Sequence, residues 1–444
     1  MKLKHKLRHH LINSPVIRNI FGMGFFRALG VITNFLLVGL IYRYFSNEVL
    51  NGIWLTIFSI LTWITFFDFG MGNSLRNKLT ESISKNDSTL SNMYISTTYI
   101  LMIVPTIIII IGATISADFI DWNKIFSVNG DLVSNEYLTL FICVVFILYA
   151  LNFYFSIIFA ILHAMFKSYL ISGIQALVNV INIIFISVLY LMKVNDLILL
   201  GGIYIGTSVI VLLITTIWIF KFNKQNLTLS FKYFNGSLIK DIANVGLKFL
   251  ILQLAIIVLF NTDNFLISRY LGVDKVTSYQ LVNKLLSVNT IILGIVLTPI
   301  WTKVIRDTAE NNINENRKTL FKLLIVFFLL VIGVLIIGFL SPLILKVWTG
   351  SNILVSNKLT IFMVIFTIIH MWCNIFQVIL NGLSKLNIQM ICYGIAAVIN
   401  IPISIYFVQH TDLGVVAIIL GTIFSLVVPG IILPIYTIRY FTKS

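Results

Sequence analysis

An all-α polytopic membrane protein, with about 12 transmembrane helices in two six-helix lobes, is the fold class this sequence predicts, and three observations predict it. Of 444 residues, 59% are hydrophobic and 11% charged, with mean hydropathy +1.00, whereas a soluble domain carries about 25% charged residues. Apolar runs of roughly 20 residues, the length that crosses about 30 Å of hydrocarbon, recur along the whole chain. The second half also repeats sequence features of the first at a constant spacing.

The expected spans are approximately 19–42, 49–69, 93–116, 137–163, 169–192, 198–220, 244–267, 278–302, 320–340, 358–381, 387–408 and 414–436. The basic stretch from Met1 to Arg18 enters the first of them without a small-residue cleavage site, so that span is expected to be retained. No loop is long enough to fold as a domain. The expected organisation is a first lobe over 1–220, a connection over 221–243 and a second lobe over 244–444.

The net charge of +15 marks one side of the bilayer. One set of loops and termini carries Lys2, Lys4, Lys6, Arg8, Arg18, Arg76, Lys78, Lys85, Lys167, Lys221, Lys224, Lys232 and Lys240, then Lys303, Arg306, Arg317, Lys318, Lys322, Lys385, Arg439 and Lys443. The opposite set has only Arg43, Lys124, Lys193, Arg269, Lys275, Lys346 and Lys358. Lys and Arg collect on the cytoplasmic side. Both termini and the 221–243 connection are therefore expected there, with the acidic loop from Ala117 to Glu136 outside. Nucleic acid is not an expected partner. Cys143, Cys373 and Cys392 lie in apolar runs without metal-site or disulfide spacing.

The repeat is clearest where Ile161-Leu162-His163-Ala164-Met165-Phe166-Lys167 precedes Ile379-Leu380-Asn381-Gly382-Leu383-Ser384-Lys385 by 218 positions. At the same spacing Val180-Ile181-Asn182-Ile183 precedes Val398-Ile399-Asn400-Ile401; a second pair, Arg43-Tyr44-Phe45 and Arg269-Tyr270-Leu271, opens the loop between the first two helices of each half. With six helices per half, both copies insert the same way up, which implies a symmetry axis along the membrane normal.

Charges within spans cost about 2.5–3.5 kcal/mol each on insertion scales and therefore point to cavities or partners. Arg27 shares a helix face with Asn34. Lys284 stands in a polar face with Thr277, Gln280 and Ser287, and Lys248 is a shallower third cation. The alternative for each is snorkelling to the surface. Asp68 and Asp263, near helix ends, are candidate coupling-ion carboxylates or else local caps. Two neutral stripes, Ser172-Gln175-Asn179-Asn182 and His370-Asn374-Gln377-Asn381, suit either a cavity wall or interhelical hydrogen bonding, and His370 is a further coupling-ion candidate. Phosphate-loop, HExxH and GxSxG motifs are missing, and Asp68-Phe69-Gly70 has no accompanying nucleotide loop. No catalytic residue, metal or cofactor is expected.

The twelve spans in two halves, the stretch Gly246-Leu247-Lys248-Phe249 followed by Thr262-Asp263-Asn264 and Leu271-Gly272, and the string Asp68-Phe69-Gly70-Met71-Gly72-Asn73-Ser74-Leu75-Arg76-Asn77 resemble the Wzx-type polysaccharide and O-antigen flippases. These belong to the multidrug/oligosaccharidyl-lipid/polysaccharide (MOP) exporter superfamily. The resemblance covers most of the chain. It implies a MATE-like fold in a bacterial cytoplasmic membrane and export of an oligosaccharide repeat unit carried on undecaprenyl diphosphate. It also implies association with polysaccharide polymerase and chain-length machinery, and cationic headgroup ligands, for which Arg27, Lys248 and Lys284 are the matching positions. Asn34, Gln175, Asn179, Gln280, Asn374 and Gln377 are the corresponding neutral cavity positions. The alternatives are a MATE-like small-molecule or cation antiporter, whose cavity would be acidic and aromatic, and an intramembrane glycosyl- or acyltransferase.

Overall fold

A computed structural model describes residues 14–45, 48–64, 70–126, 133–222, 226–349 and 356–443. In the first half the helices are α1 (Pro15–Tyr44), α2 (Glu48–Ile64), α3 (Met71–Ser84), α4 (Ser88–Phe119), the short α5 (Trp122–Phe126), α6 (Asn135–Phe155), α7 (Ile158–Ala164), α8 (Ser168–Leu191) and α9 (Leu197–Phe222). In the second they are α10 (Ile239–Leu271), α11 (Val273–Ala309), α12 (Ile313–Thr349), α13 (Asn357–Gly382), α14 (Leu386–His410) and α15 (Val415–Lys443). The chain forms two compact units, Met1–Gly246 and Leu247–Ser444.

Among the described residues, 11 helices are long and apolar enough to cross a membrane, against twelve expected spans. The difference is the span expected at 49–69. There α2 supplies only a shorter apolar helix, Val49–Phe58, and residues 65–69, Asp68 among them, lie outside the described residues. Helix α11 shows how this region relates to the rest. Shifted back by 225 positions, Val273–Ala309 covers residues 48–84, so one continuous helix in the second unit corresponds to α2 and α3 together in the first.

The repeat extends to backbone detail. Phe166 and Ser384, 218 positions apart, both adopt left-handed φ, 55° and 56°. Each sits in the same helix-terminating pattern: the amides of Phe166 and Lys167 bond the carbonyls of His163 and Leu162, and those of Ser384 and Lys385 bond Asn381 and Leu380. At the 225 spacing, Asn86 (φ 56°) and Asn311 (φ 57°) close α3 and α11 in matching fashion. Asparagine tolerates this conformation better than most non-glycine residues.

Within the first unit α1 lies along α8, α6 along α9, α4 against α6, and α3 against α4 and α7. Two apolar clusters result, one around Leu37, Trp54, Phe141 and Leu200, the other around Leu75, Tyr99, Ile161 and Leu212. Within the second unit α14 lies along α15, and α13 packs on α11, α12 and α15. Phe35, Phe119 and Phe339 are more than four-fifths exposed, as side chains facing lipid would be. Because lipid tails are as apolar as Leu, these contacts rest on close packing and internal hydrogen bonds more than on transfer from water. Helix-interior hydroxyls follow that logic: Thr106, Thr216, Thr367 and Thr437 each donate to the carbonyl four residues earlier. Six prolines, Pro105, Pro299, Pro342, Pro402, Pro429 and Pro434, stand inside helices, which membrane helices accommodate.

The connection after α9 is folded onto the first unit. Asn92 accepts from the Thr228 amide at 2.8 Å, Ser96 from Ser230 at 3.2 Å and Thr97 from Asn235 at 3.1 Å. At the start of α10, Ser74 Oγ donates to the Ile242 carbonyl at 2.9 Å. The three cysteines are free.

Candidate functional site

Where the two apolar clusters of the first unit meet, they leave a cavity of about 580 Å³, a volume typical of small-molecule sites. Helices α2, α3, α4, α6, α7, α8 and α9 all contribute to its wall. The local sequence explains how polar groups arrive there. Gly70, with φ 66°, starts α3 in a conformation that disfavours a β-carbon. The helix that follows buries Ser74, Leu75, Arg76, Asn77 and Leu79, and Arg76, only 4% exposed, lines the cavity with Asn73.

The neighbouring part of the wall is interrupted. The expected span 137–163 is divided into α6 and α7 at Ser156 and Ile157, and both residues line the cavity. The Ser156 hydroxyl donates to the Phe153 carbonyl at 2.7 Å. His163, also at the wall, pairs through Nδ1 with Ser168 Oγ at 2.8 Å. It lies within electrostatic reach of both Arg76 and Arg27.

Amides complete the lining. Asn152 donates to Ser208 Oγ at 2.5 Å, Asn179 to Thr33 Oγ1 at 3.3 Å and to the Gly30 carbonyl at 3.4 Å, and Asn182 to the Tyr204 carbonyl at 3.1 Å. Gln175, also in the lining, is exposed. Among the described lining residues there is no Asp or Glu. The chemistry is that of a basic, hydrogen-bonding chamber with Phe58, Tyr149, Phe153 and Tyr204 as aromatic walls.

Of the positions singled out in the sequence, Gln175 and Asn179 stand together in this wall. Arg27 and Asn34 are exposed on α1, outside the cavity lining. In the second unit Lys284 is exposed and Lys248 half-buried. Among the described residues, none of Arg27, Lys248 and Lys284 has an ion-pair partner. Gln280 donates to Asn264 at 2.6 Å, and Gln377 accepts from Tyr393 Oη at 3.2 Å, while Asn374 is half-buried. His370 packs between Phe260 and Phe366, with ring centroids 4.4 and 5.8 Å away.

Asp263, 2% exposed, is the centre of a separate network in the second unit. It accepts from Thr422 Oγ1 at 3.0 Å and from Tyr279 Oη at 3.3 Å. Asn400 donates to Thr422 at 3.0 Å and accepts from Thr262 at 3.5 Å. This joins α10, α11, α14 and α15. Among the described residues no three His, Cys, Asp or Glu side chains cluster as a metal site.

The sequence does not mark Arg76, Asn152, Ser156, His163 and Ser208 as site residues. Arg76 reads there as a cytoplasmic loop cation because α3 is too polar to count as a span. A signal for the α6/α7 residues did exist: at the 218 spacing, Asn152, Ser156 and His163 align with His370, Asn374 and Asn381 of the stripe recognised in the second half.

This all-helical, two-unit fold is shared with solved transporters of the MATE family and the MOP superfamily. Solved structures match it over nearly its whole length. A MATE structure in complex with MaD3S superposes with TM-score 0.80 at 14% identity, covering 97% of each chain. A multidrug resistance MATE family transporter in an outward-facing conformation gives 0.78 at 14% identity, over 97% of this chain and 96% of that one. A MOP superfamily transporter from Pyrococcus furiosus, described as having a binding pocket of reverse polarity, gives 0.77 at 14%, over 97% of each. The chain belongs to the polysaccharide biosynthesis protein family, whose profile matches residues 50–305, more than half of its length; the MatE profile matches residues 249–406. A relative from Salmonella typhi named "Putative O-antigen transporter" is 24% identical over 404 residues, covering 86% of this chain and 87% of its own.

Proposed function

We propose that this protein is a flippase that moves an undecaprenyl-diphosphate-linked oligosaccharide repeat unit across a bacterial cytoplasmic membrane, by alternating access of its two units, for synthesis of a surface polysaccharide such as O-antigen or capsule. The observation that carries this reading is the first unit's cavity, with Arg76, His163 and five amides at its wall and no carboxylate among the described lining residues. Such a chamber suits a hydroxyl-rich, anionic headgroup and repels a cationic drug, so it favours this reading over a cation antiporter. The Salmonella typhi relative and the family profile point the same way.

In this mechanism the polyprenyl tail stays in lipid while the headgroup travels through protein, because a diphosphate-sugar is too polar to cross hydrocarbon unaided. Arg27, Lys248 and Lys284 hold the diphosphate through charge-assisted hydrogen bonds. Lack of an acidic partner for any of them among the described residues leaves their charge available to an anion. Asp263, with its ring of donors, is the coupling-ion group the second unit offers. Both termini and the 221–243 connection face the cytoplasm, and the protein acts alongside polymerase and chain-length machinery rather than as an enzyme itself.

The deciding experiment is deletion of the gene followed by analysis of lipid-linked intermediates. Complete repeat units should accumulate in the inner leaflet and surface polysaccharide should be lost. Unaltered surface polysaccharide with no accumulated intermediate would rule the function out.

A further inference from the structure

Helix α12 leaves open a face that its counterpart in the first unit covers. At the 225 spacing Arg317, Lys318, Phe321 and Lys322 correspond to Asn92, Met93, Ser96 and Thr97 of α4. Those α4 side chains hold the connection after α9: Asn92, Ser96 and Thr97 accept its backbone amides, and Met93 Sδ accepts from Asn235 Nδ2 at 3.7 Å. Asn92, Ser96 and Thr97 are buried beneath it. On α12 the corresponding residues are all exposed, and among the described residues no segment lies over them. The second copy presents an open basic face where the first has a covered polar one.

Direction and charge both say what this face meets. Phe328, Leu329 and Ile332, each more than half exposed, form the lipid-facing stripe of α12. At about 100° per residue the basic residues and Phe321 fall in the same arc of about 140° as that stripe. The cations therefore stand at the end of a lipid-facing surface, at the level of headgroups. On the side of α12 turned toward α11, charge is neutralised within the protein: Asp307 pairs with Lys303 and Arg306, and Lys303 also donates to Thr319 at 3.0 Å. On the open face Glu315 pairs with Lys318 at 2.8 Å. Among the described residues neither Arg317 nor Lys322 has an ion-pair partner.

We propose that this face of α12 binds an acidic phospholipid of the surrounding bilayer: Arg317 and Lys322 hold the headgroup phosphate, Lys318 adds to their field, and an acyl chain lies along Phe321 and Phe328. The lipid fills in the second unit the place that the connection fills in the first. The Arg317 guanidinium suits the role because its planar fork matches phosphate oxygens, and a lipid, unlike a soluble partner, is already present at this depth.

The test is lipid retention by the purified full chain in detergent, offered equal amounts of phosphatidylglycerol and phosphatidylcholine with the same acyl chains and read by native mass spectrometry. Wild-type protein should retain phosphatidylglycerol over phosphatidylcholine by at least about fivefold, the factor that one Lys or Arg near an anionic lipid surface supplies. The triple variant Arg317→Gln, Lys318→Gln, Lys322→Gln should bring the ratio close to one. A control triple, Lys221→Gln, Lys232→Gln, Lys240→Gln, removes the same charge from exposed positions elsewhere and should keep the preference. Wild-type protein without the preference overturns the proposal and leaves the face to an acidic protein segment, and this comparison decides even where the α12 variant does not assemble. An α12 variant that keeps the full preference overturns the site. Equal loss in both triple variants does so too, because net charge and not this face would then select the lipid.

Discussion

Lys78 and Asp241 form an ion pair, Nζ to Oδ2 2.6 Å, that ties α3 to the first turn of α10. Tyr94 donates to the same carboxylate at 3.0 Å. The side chains are 22% and 39% exposed, so solvent screens the pair and its coupling is expected to be at most about 1 kcal/mol. A double-mutant cycle with Lys78→Ala and Asp241→Ala, read by thermal unfolding, measures it. A coupling of several kcal/mol would mean that this tie is far drier than its exposure indicates.

The proposed diphosphate ligands should respond to charge more than to shape. Arg27→Lys and Lys284→Arg are expected to keep part of the export, and alanine at either position to remove most of it with protein still in the membrane. Lys248→Ala should be the mildest of the three. Single-copy complementation of surface polysaccharide is the readout, and normal export by Lys284→Ala would remove Lys284 from the site.

Asp263 separates a structural role from a coupling role. Asn at this position keeps one acceptor oxygen, for either Thr422 or Tyr279, and puts an NH2 where the other oxygen stood, whereas Leu strands both donors at about 1–3 kcal/mol each. Asp263→Asn should therefore unfold somewhat below the wild-type temperature and Asp263→Leu clearly below both. Transport by Asp263→Asn is expected to lose its dependence on a proton or sodium gradient. Gradient dependence identical to wild type would assign the coupling elsewhere.

Glycine positions offer a matched pair. A β-carbon on Gly421 would come within 2.7 Å of the Ser404 backbone, while one on Gly394 meets nothing within 4 Å. Gly421→Ala should cost about 1–3 kcal/mol by forcing α14 and α15 apart. Gly394→Ala should be neutral or slightly stabilising, since alanine is the better helix former. Melting temperatures of the two purified variants make the comparison.

Orientation is tested by labelling in a version with Cys143, Cys373 and Cys392 replaced. Lys124, 85% exposed at its side chain, should react as Lys124→Cys with an impermeant thiol reagent in intact cells, and Lys232→Cys should react only after permeabilisation. The reverse pattern would invert the proposed topology.

The helical class, the span order and the repeat were legible because they rest on composition and spacing, which survive without knowledge of neighbours. Lys167 and Lys385 marked two helix ends that share one backbone geometry, and Asn182 and Asn400 each proved to bond the residue twenty-two positions on, Tyr204 and Thr422. Arg76 was not legible as a cavity residue. Its helix is polar enough to pass for a surface segment, and only packing against α4 and α7 decides which face is buried. The break at Ser156 is not legible either, since no proline or glycine announces it and the apolar run continues through it.

One difference between the copies has a mechanical meaning. Helix α11 runs unbroken for 37 residues, about 55 Å at 1.5 Å per residue, nearly twice the hydrocarbon thickness. Its counterpart is two helices, the second of which begins after Gly70 with φ 66°. A continuous rod passes rotation from one end to the other, so a tilt of about 10° about its midpoint carries each tip about 5 Å. The second unit thus carries a single lever where the first carries two shorter helices, so the two halves, alike in order, differ in the length over which one rigid piece acts.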